Sequence, residues 1–126
     1  MVTKATSRDN RNARQVTRKA IPLQKAHIHN TAKNAGTDFL VADITPSDAP
    51  CLFRIQIQVD TLAVFSAKVN STTEVSLEFN AGAQLTAGVL HIFDMLVDTD
   101  DEVNFQVDQN VNVDKFIVQE VLWAVQ

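Results

Sequence analysis

The chain of 126 residues has one cysteine, three glycines, three prolines, one tryptophan and no tyrosine. Cys51 alone cannot build an internal disulfide framework or a multi-cysteine zinc site. It sits between Pro50 and Leu52 at an expected strand start, and reads as a small buried apolar residue rather than a nucleophile. Seven Phe and Trp123 without any Tyr make a poor stacking platform for sugars or single-stranded nucleic acid. The glycines are too sparse to cradle a phosphate. There is no Walker loop, dinucleotide fingerprint or zinc-protease motif, and no nucleophile elbow or ordered triad. No run of about eighteen apolar residues is present, so no membrane span is expected. The first twenty residues are polar and lack the apolar stretch of a secretory signal. The glycosylation pattern Asn70-Ser71-Thr72 is therefore set aside. A transit peptide would fit the Arg-rich, acid-poor start, but that start lacks helical amphipathicity. The expectation is a non-enzymatic chain with no cofactor.

What the chain does have is a segregated charge. The net charge of −4 hides two opposite blocks. Residues 1–33 carry eight basic side chains against Asp9, a net of +7. Residues 34–126 carry three basic side chains against fourteen acids, a net of −11. Residues 1–20 hold almost no large apolar side chain, so they cannot offset the entropy of ordering and read as a flexible arm. Residues 21–36 are transitional, with a few anchors at Ile21-Pro22-Leu23. The expected organisation is a basic, extended N-terminal arm over 1–36 and a β-sandwich domain over 37–126.

Period two dominates the body. In Leu52–Asp60 the odd positions Phe53, Ile55, Ile57 and Val59 are apolar and the even ones are polar. Successive strand side chains point to opposite faces, so this is a strand with one wet face. Thr73–Asn80 repeats the pattern with Val75, Leu77 and Phe79, and Val103–Asp108 repeats it with Val103, Phe105 and Val107. Val111 and Val113 repeat it briefly. Phe39–Ile44, Leu62–Val69, Val89–Val97 and Phe116–Val125 are apolar on both faces, as in strands covered on two sides. The last two are long enough to need a bulge or bend. Turns are expected around Thr45–Asp48, Asn70–Thr72, Asn80–Gly82, Ala87-Gly88 and Asp98–Glu102. The Asn80–Gly88 stretch reads as a tight crossing between sheets. The expected fold is all-β: an antiparallel, jelly-roll-like β-sandwich of seven to eight strands. An immunoglobulin-like sandwich is the alternative, without its cysteine–tryptophan–cysteine spacing. The expected core contains Phe53, Ile55, Ile57, Val75, Leu77, Phe79, Phe93, Phe105 and Val107. A body of this size buries roughly 60–65% of its unfolded surface, so association should add to its stability.

Several residues could carry chemistry. His27 and His29 share a face in an extended segment and could hold a metal or titrate together. No third ligand is fixed by spacing, and an exposed polar stretch is the simpler account. His91, among Leu90, Ile92 and Phe93, reads as a hydrogen-bonded histidine near the core or a subunit contact. Asp98–Glu102 offers oxygen ligands at alternate positions, which suits calcium. The loop lacks the glycine and closing acid of a full calcium loop, so a solvated hairpin tip is favoured. The strongest signal is the arm. Arg8, Arg11, Arg14, Arg18, Lys19 and Lys25 are its candidate partner-binding residues. They could neutralise phosphates, with a steep salt dependence, or dock on an acidic neighbour, or remain solvated. The body supplies acid itself, and twenty extended residues reach about 65 Å. An assembly arm is therefore favoured over a nucleic-acid tail. Trp123 is a candidate interface anchor, since aromatic side chains are enriched at interface centres. A small-ligand or carbohydrate-binding sandwich is a further alternative.

Leu52-Phe53-Arg54-Ile55-Gln56-Ile57 looks like an opening strand, and Phe79-Asn80-Ala81-Gly82 through Leu85-Thr86-Ala87-Gly88 like a central crossing. Leu90-His91-Ile92-Phe93-Asp94, Val103-Asn104-Phe105-Gln106-Val107 and Val118-Gln119-Glu120-Val121 follow. Together, over residues 50–125, they resemble small β-sandwich structural proteins of tailed-virus particles. The resemblance implies a capsid decoration (cement) protein, or a tail, baseplate or appendage subunit. It implies a homotrimer that clamps neighbours with an N-terminal arm, a major capsid protein or other virion protein as partner, and assembly in the host cytoplasm. The strong positive charge of the arm departs from that pattern and leaves room for nucleic acid.

Overall fold

The computed structural model describes residues 20–47, 51–71 and 73–123. Among these residues are seven strands: β1 (Ala20–Lys33), β2 (Cys51–Val59), β3 (Phe65–Val69), β4 (Leu77–Glu78), β5 (His91–Val97), β6 (Val103–Val107) and β7 (Val111–Trp123). They form two antiparallel sheets, ordered β1-β7-β2-β5 and β4-β3-β6. Among the described residues there is no α-helix, only a single 3-10 turn at Asn80–Gly82. The molecule is an antiparallel β-sandwich.

Its connectivity is that of a jelly roll. Residues 36–44 run beside β6: Gly36 N–H donates to Val107 O, Phe39 N–H to Phe105 O, and Ile44 bridges Val103. This segment stands where an eighth strand would complete the second sheet. The chain then changes sheet at every connection except β3–β4, which is the double Greek key of a jelly roll.

The alternation that defined β2 is reproduced residue by residue: every odd position from Cys51 to Val59 is buried and every even one is half-buried. Burial of one face is what pins the register, since a one-residue slip would turn the whole apolar set to water. The space between the sheets is filled by phenylalanine. Phe65 sits at the centre, with ring centroids of Phe39, Phe79, Phe93, Phe105 and Phe116 at 4.9–6.3 Å. Offset and edge-on rings at these separations add to the area they bury.

Five expectations change. Pairing begins at Ala20, well before residue 37: β1 lies along β7 from Ala20↔Trp123 to Lys33↔Val111. Its backbone finds partners along the 13 residues of β7, which offsets its ordering entropy. Val75 and Leu77 are 38% and 40% exposed rather than buried. They lie before and in a two-residue edge strand, where an inward side chain has a neighbour on one side only. Phe93 is half-buried and packs against the core cluster. Val111, Val113 and the Phe116 segment form one strand, β7, whose register with β2 shifts between Gln58 and Val59. β5 pairs with β2 with no bulge. The Asn80–Gly88 stretch does cross between sheets, from β4 to β5. Its turn places Asn80, Ala81 and Gly82 at positive φ, and the Asn80 side chain ties it by donating to Ala83 O and Gln84 O.

Candidate functional site

The strand directions decide where the charges lie. Cys51↔Val97, Leu52↔Val121 and Ala20↔Trp123 mark one end of the sandwich. The loop from β5 to β6, the end of β3 and Ile44 lie at that same end. It collects Asp43, Glu74, Asp98, Asp100, Asp101 and Glu102. Asp43, Asn70, Ser71, Asp100 and Glu102 line an open depression there. The chain enters β1 at this end, so the basic N-terminal segment joins the body beside its acidic loops.

Lys25 is the one arm residue of the partner-binding set that the structure describes. It occupies the bulge between Gln24 and Ala26 in β1. Its ammonium donates to Ser47 Oγ at 3.0 Å and lies 3.5 Å from Glu120 Oε1. The same Glu120 oxygen accepts the Ser47 backbone N–H at 2.8 Å. Glu120 is fully buried, because the alternation of β7 turns 116, 118 and 120 inward. A buried carboxylate needs a charge partner and hydrogen bonds. Lys25 and Ser47 supply both, so Lys25 engages an acid of its own chain. Arg8, Arg11, Arg14, Arg18 and Lys19 lie outside the described residues. Trp123 ends β7, its backbone opposite Ala20; its side chain lies outside the description.

The acidic run is a self-contained loop. Asp101 Oδ2 accepts the Asp98 N–H at 2.8 Å, and Asp101 Oδ1 accepts from Asn70 Nδ2 at 2.9 Å. Asn70 Oδ1 accepts the Glu102 N–H, and Asn70 N–H donates to Glu102 O. Asp101 is held below the usual carboxylate range, first by the Asp98 N–H and then by Asn70. A carboxylate committed to backbone donors is poorly placed to coordinate an ion. Among the described residues no group of three His, Cys, Asp or Glu is arranged to hold a metal. His27 and His29 are exposed on the outer face, opposite Ile117 and Lys115. His91 Nε2 accepts the Thr86 N–H at 3.1 Å, and its ring stacks on Phe93 at 6.0 Å. Cys51 is buried at the start of β2.

Sequence reasoning missed a second polar cluster. Ser66, Lys68 and Asn104 point away from the core yet are buried, and the 38–43 segment covers Lys68 and Asn104 through Asp38, Leu40 and Asp43. Asn104 Oδ1 accepts the Leu40 N–H at 3.0 Å, while its Nδ2 donates to Leu40 O at 3.0 Å and Asp43 Oδ1 at 2.8 Å. Lys68 pairs with Asp38. The signal available was the long apolar–polar segment before β2, which has to pack somewhere. These contacts latch the segment onto the second sheet. No family model, curated protein or solved structure matches the chain.

Proposed function

We propose that the chain is a non-enzymatic virion structural subunit, a capsid decoration (cement) protein that works as a homo-oligomer. The observation that carries the reading is the placement of charge on a jelly-roll sandwich. A basic N-terminal segment enters the sheet at the end that presents Asp43, Glu74, Asp98, Asp100, Asp101 and Glu102. An arm anchored there can meet the same acidic loops on a neighbour, or acid on a shell protein. The polar groups of those loops serve turns and latches, which fits a scaffold. Oppositely charged surfaces favour encounter and orientation.

Virus particles purified from the source of this sequence should contain the chain in a fixed ratio to their major shell protein, read by quantitative mass spectrometry. Deleting residues 1–19 leaves β1 intact and should abolish retention on the particle. Particles that lack the chain, or that bind the truncated form normally, refute the reading. A second reading, nucleic-acid binding, is favoured by the net positive charge of residues 1–19. It requires retention on DNA or RNA that falls steeply with salt; absence of binding at low salt removes it.

A further inference from the structure

The two edges of the four-stranded sheet are built differently. β1 carries Pro22, the bulge at Lys25, Lys33 and a left-handed residue, Asn30 (φ 48°). Proline, lysine and bulges are the devices that keep an edge from pairing with another chain. β5, at the other edge, has none of them. It pairs with β2 from His91 to Val97 without a break in register. Two of its outward side chains, Ile92 and Leu96, are 58% and 79% exposed.

The same side of the sandwich includes β4, since Phe79 beside β4 stacks on Phe93 of β5 at 5.1 Å. Val75, Leu77, Val89, Leu90, Ile92 and Leu96 all belong to this side. They are six of the nine exposed large apolar side chains among the described residues. Isolated exposed leucines are ordinary, but a concentration on one side marks an interaction surface.

We propose that β5 pairs antiparallel with β5 of a second copy across a two-fold axis at Asp94, joining two four-stranded sheets into one of eight. This deepens the structural-subunit reading and rests on it only for self-association. The residue order of β5 argues for a second copy as the occupant. A two-fold at Asp94 sets Ile92 of each copy opposite Leu96 of the other. It sets Phe93 opposite Met95 on the core side. An isologous contact of this kind is self-complementary. The two Asp94 carboxylates meet at the axis, and like charges directly opposite oppose pairing. Each, however, is gripped by its own Arg54, with Nε at 2.9 Å and the second nitrogen at 3.1 Å. Two guanidiniums therefore arrive with two carboxylates, and the row of four is neutral. An arginine-rich arm would instead lay charge over Ile92 and Leu96.

Sedimentation of the full chain over a wide concentration range should show a reversible dimer. Ile92→Lys combined with Leu96→Lys should give a folded monomer, with the parent's far-ultraviolet circular dichroism and a melting temperature that no longer rises with protein concentration. Arg54→Ala should weaken the dimer by about tenfold or more, because it leaves the two carboxylates unscreened. Asp94→Asn in that background should restore it, which a merely structural role for Arg54 would not do. Ile92→Cys and Leu96→Cys, mixed and oxidised, should cross-link to each other and not to themselves. A monomer at every concentration overturns the proposal, as does an oligomer, a trimer included, that tolerates both lysines or links each cysteine variant to itself. A dimer that behaves as described while particles lack the chain would instead leave this contact intact and remove the virion reading.

Discussion

Replacing Asn104 by Ala should be among the most destabilising polar substitutions in the molecule. The side chain is buried on the outer face of the second sheet, where its amide takes the place of a neighbouring strand's backbone for Leu40. Three hydrogen bonds to the 38–43 segment are lost: those to Leu40 N–H, Leu40 O and Asp43. At about 1 kcal/mol net for each, and somewhat more for the one to a carboxylate, the loss is roughly 2–4 kcal/mol. For a domain of about this size that lowers Tm by roughly 10–20 °C. The latch also predicts a local effect. In hydrogen exchange, the Leu40 and Ile44 amides should lose protection in Asn104→Ala before β2 and β7 do, because only their segment is released. Asn104→Asp keeps an acceptor for Leu40 N–H but loses both Nδ2 donations and sets a carboxylate against Asp43, so it should destabilise at least as much as Asn104→Ala. A melting profile for Asn104→Ala within about 0.5 kcal/mol of the parent, inside the range of ordinary surface changes, would refute the reasoning. Unchanged Leu40 exchange would do the same.

Phe65→Ala removes the ring that five other phenylalanines surround. It should cost about 3–5 kcal/mol in denaturant unfolding, while Leu62→Ala, at an exposed loop position, should be near neutral. Gly82→Ala should lose about 1 kcal/mol in the same assay, because its φ of +78° disfavours any side chain and the new Cβ would stand 3.0 Å from Glu78 Oε1. The Asp60 and Asp101 carboxyls are both lowered in the folded state, Asp60 first by the Asn112 N–H and then by the Thr61 hydroxyl, Asp101 by the Asp98 N–H and then by Asn70. Their stabilisation is therefore complete above the ordinary carboxylate pKa and lost as pH falls through the folded values, so Asp60→Asn and Asp101→Asn should each flatten the acid limb of a stability–pH curve. Calcium or chelator should leave the melting temperature unchanged, because Asp98 and Asp101 already accept from the loop's own backbone N–H groups; a rise with calcium would overturn that assignment.

The core strands were legible from alternation alone. Phe53, Ile55 and Ile57, and Phe105 and Val107, are buried as their parity requires, since period two leaves a half-buried strand no other face to turn. β1 was not legible, and Lys25 is the reason. Before the bulge Leu23 stands opposite the inward Glu120; after it Ala26 and Ile28 stand opposite the inward Val118 and Phe116. The inward parity switches from odd to even, so no alternation runs through the segment. Glu120 and Asn104 look like solvent positions in sequence, because burial of a polar side chain depends on what folds over it. Of the candidate site residues, the sequence marked Lys25 as one charge of a partner-binding arm, for phosphate or for acid, with no sign that it meets Glu120 of its own chain.

By itself, then, the sequence determined an all-β body and its division of charge, both of which follow from local period and composition. Only the tertiary structure decided which strands stand at the two edges of the four-stranded sheet, and which end of the sandwich gathers the acids. Those are properties of strand order and direction, set by pairings between residues such as Ala20 and Trp123 that lie a hundred positions apart in the chain, and no local pattern encodes them.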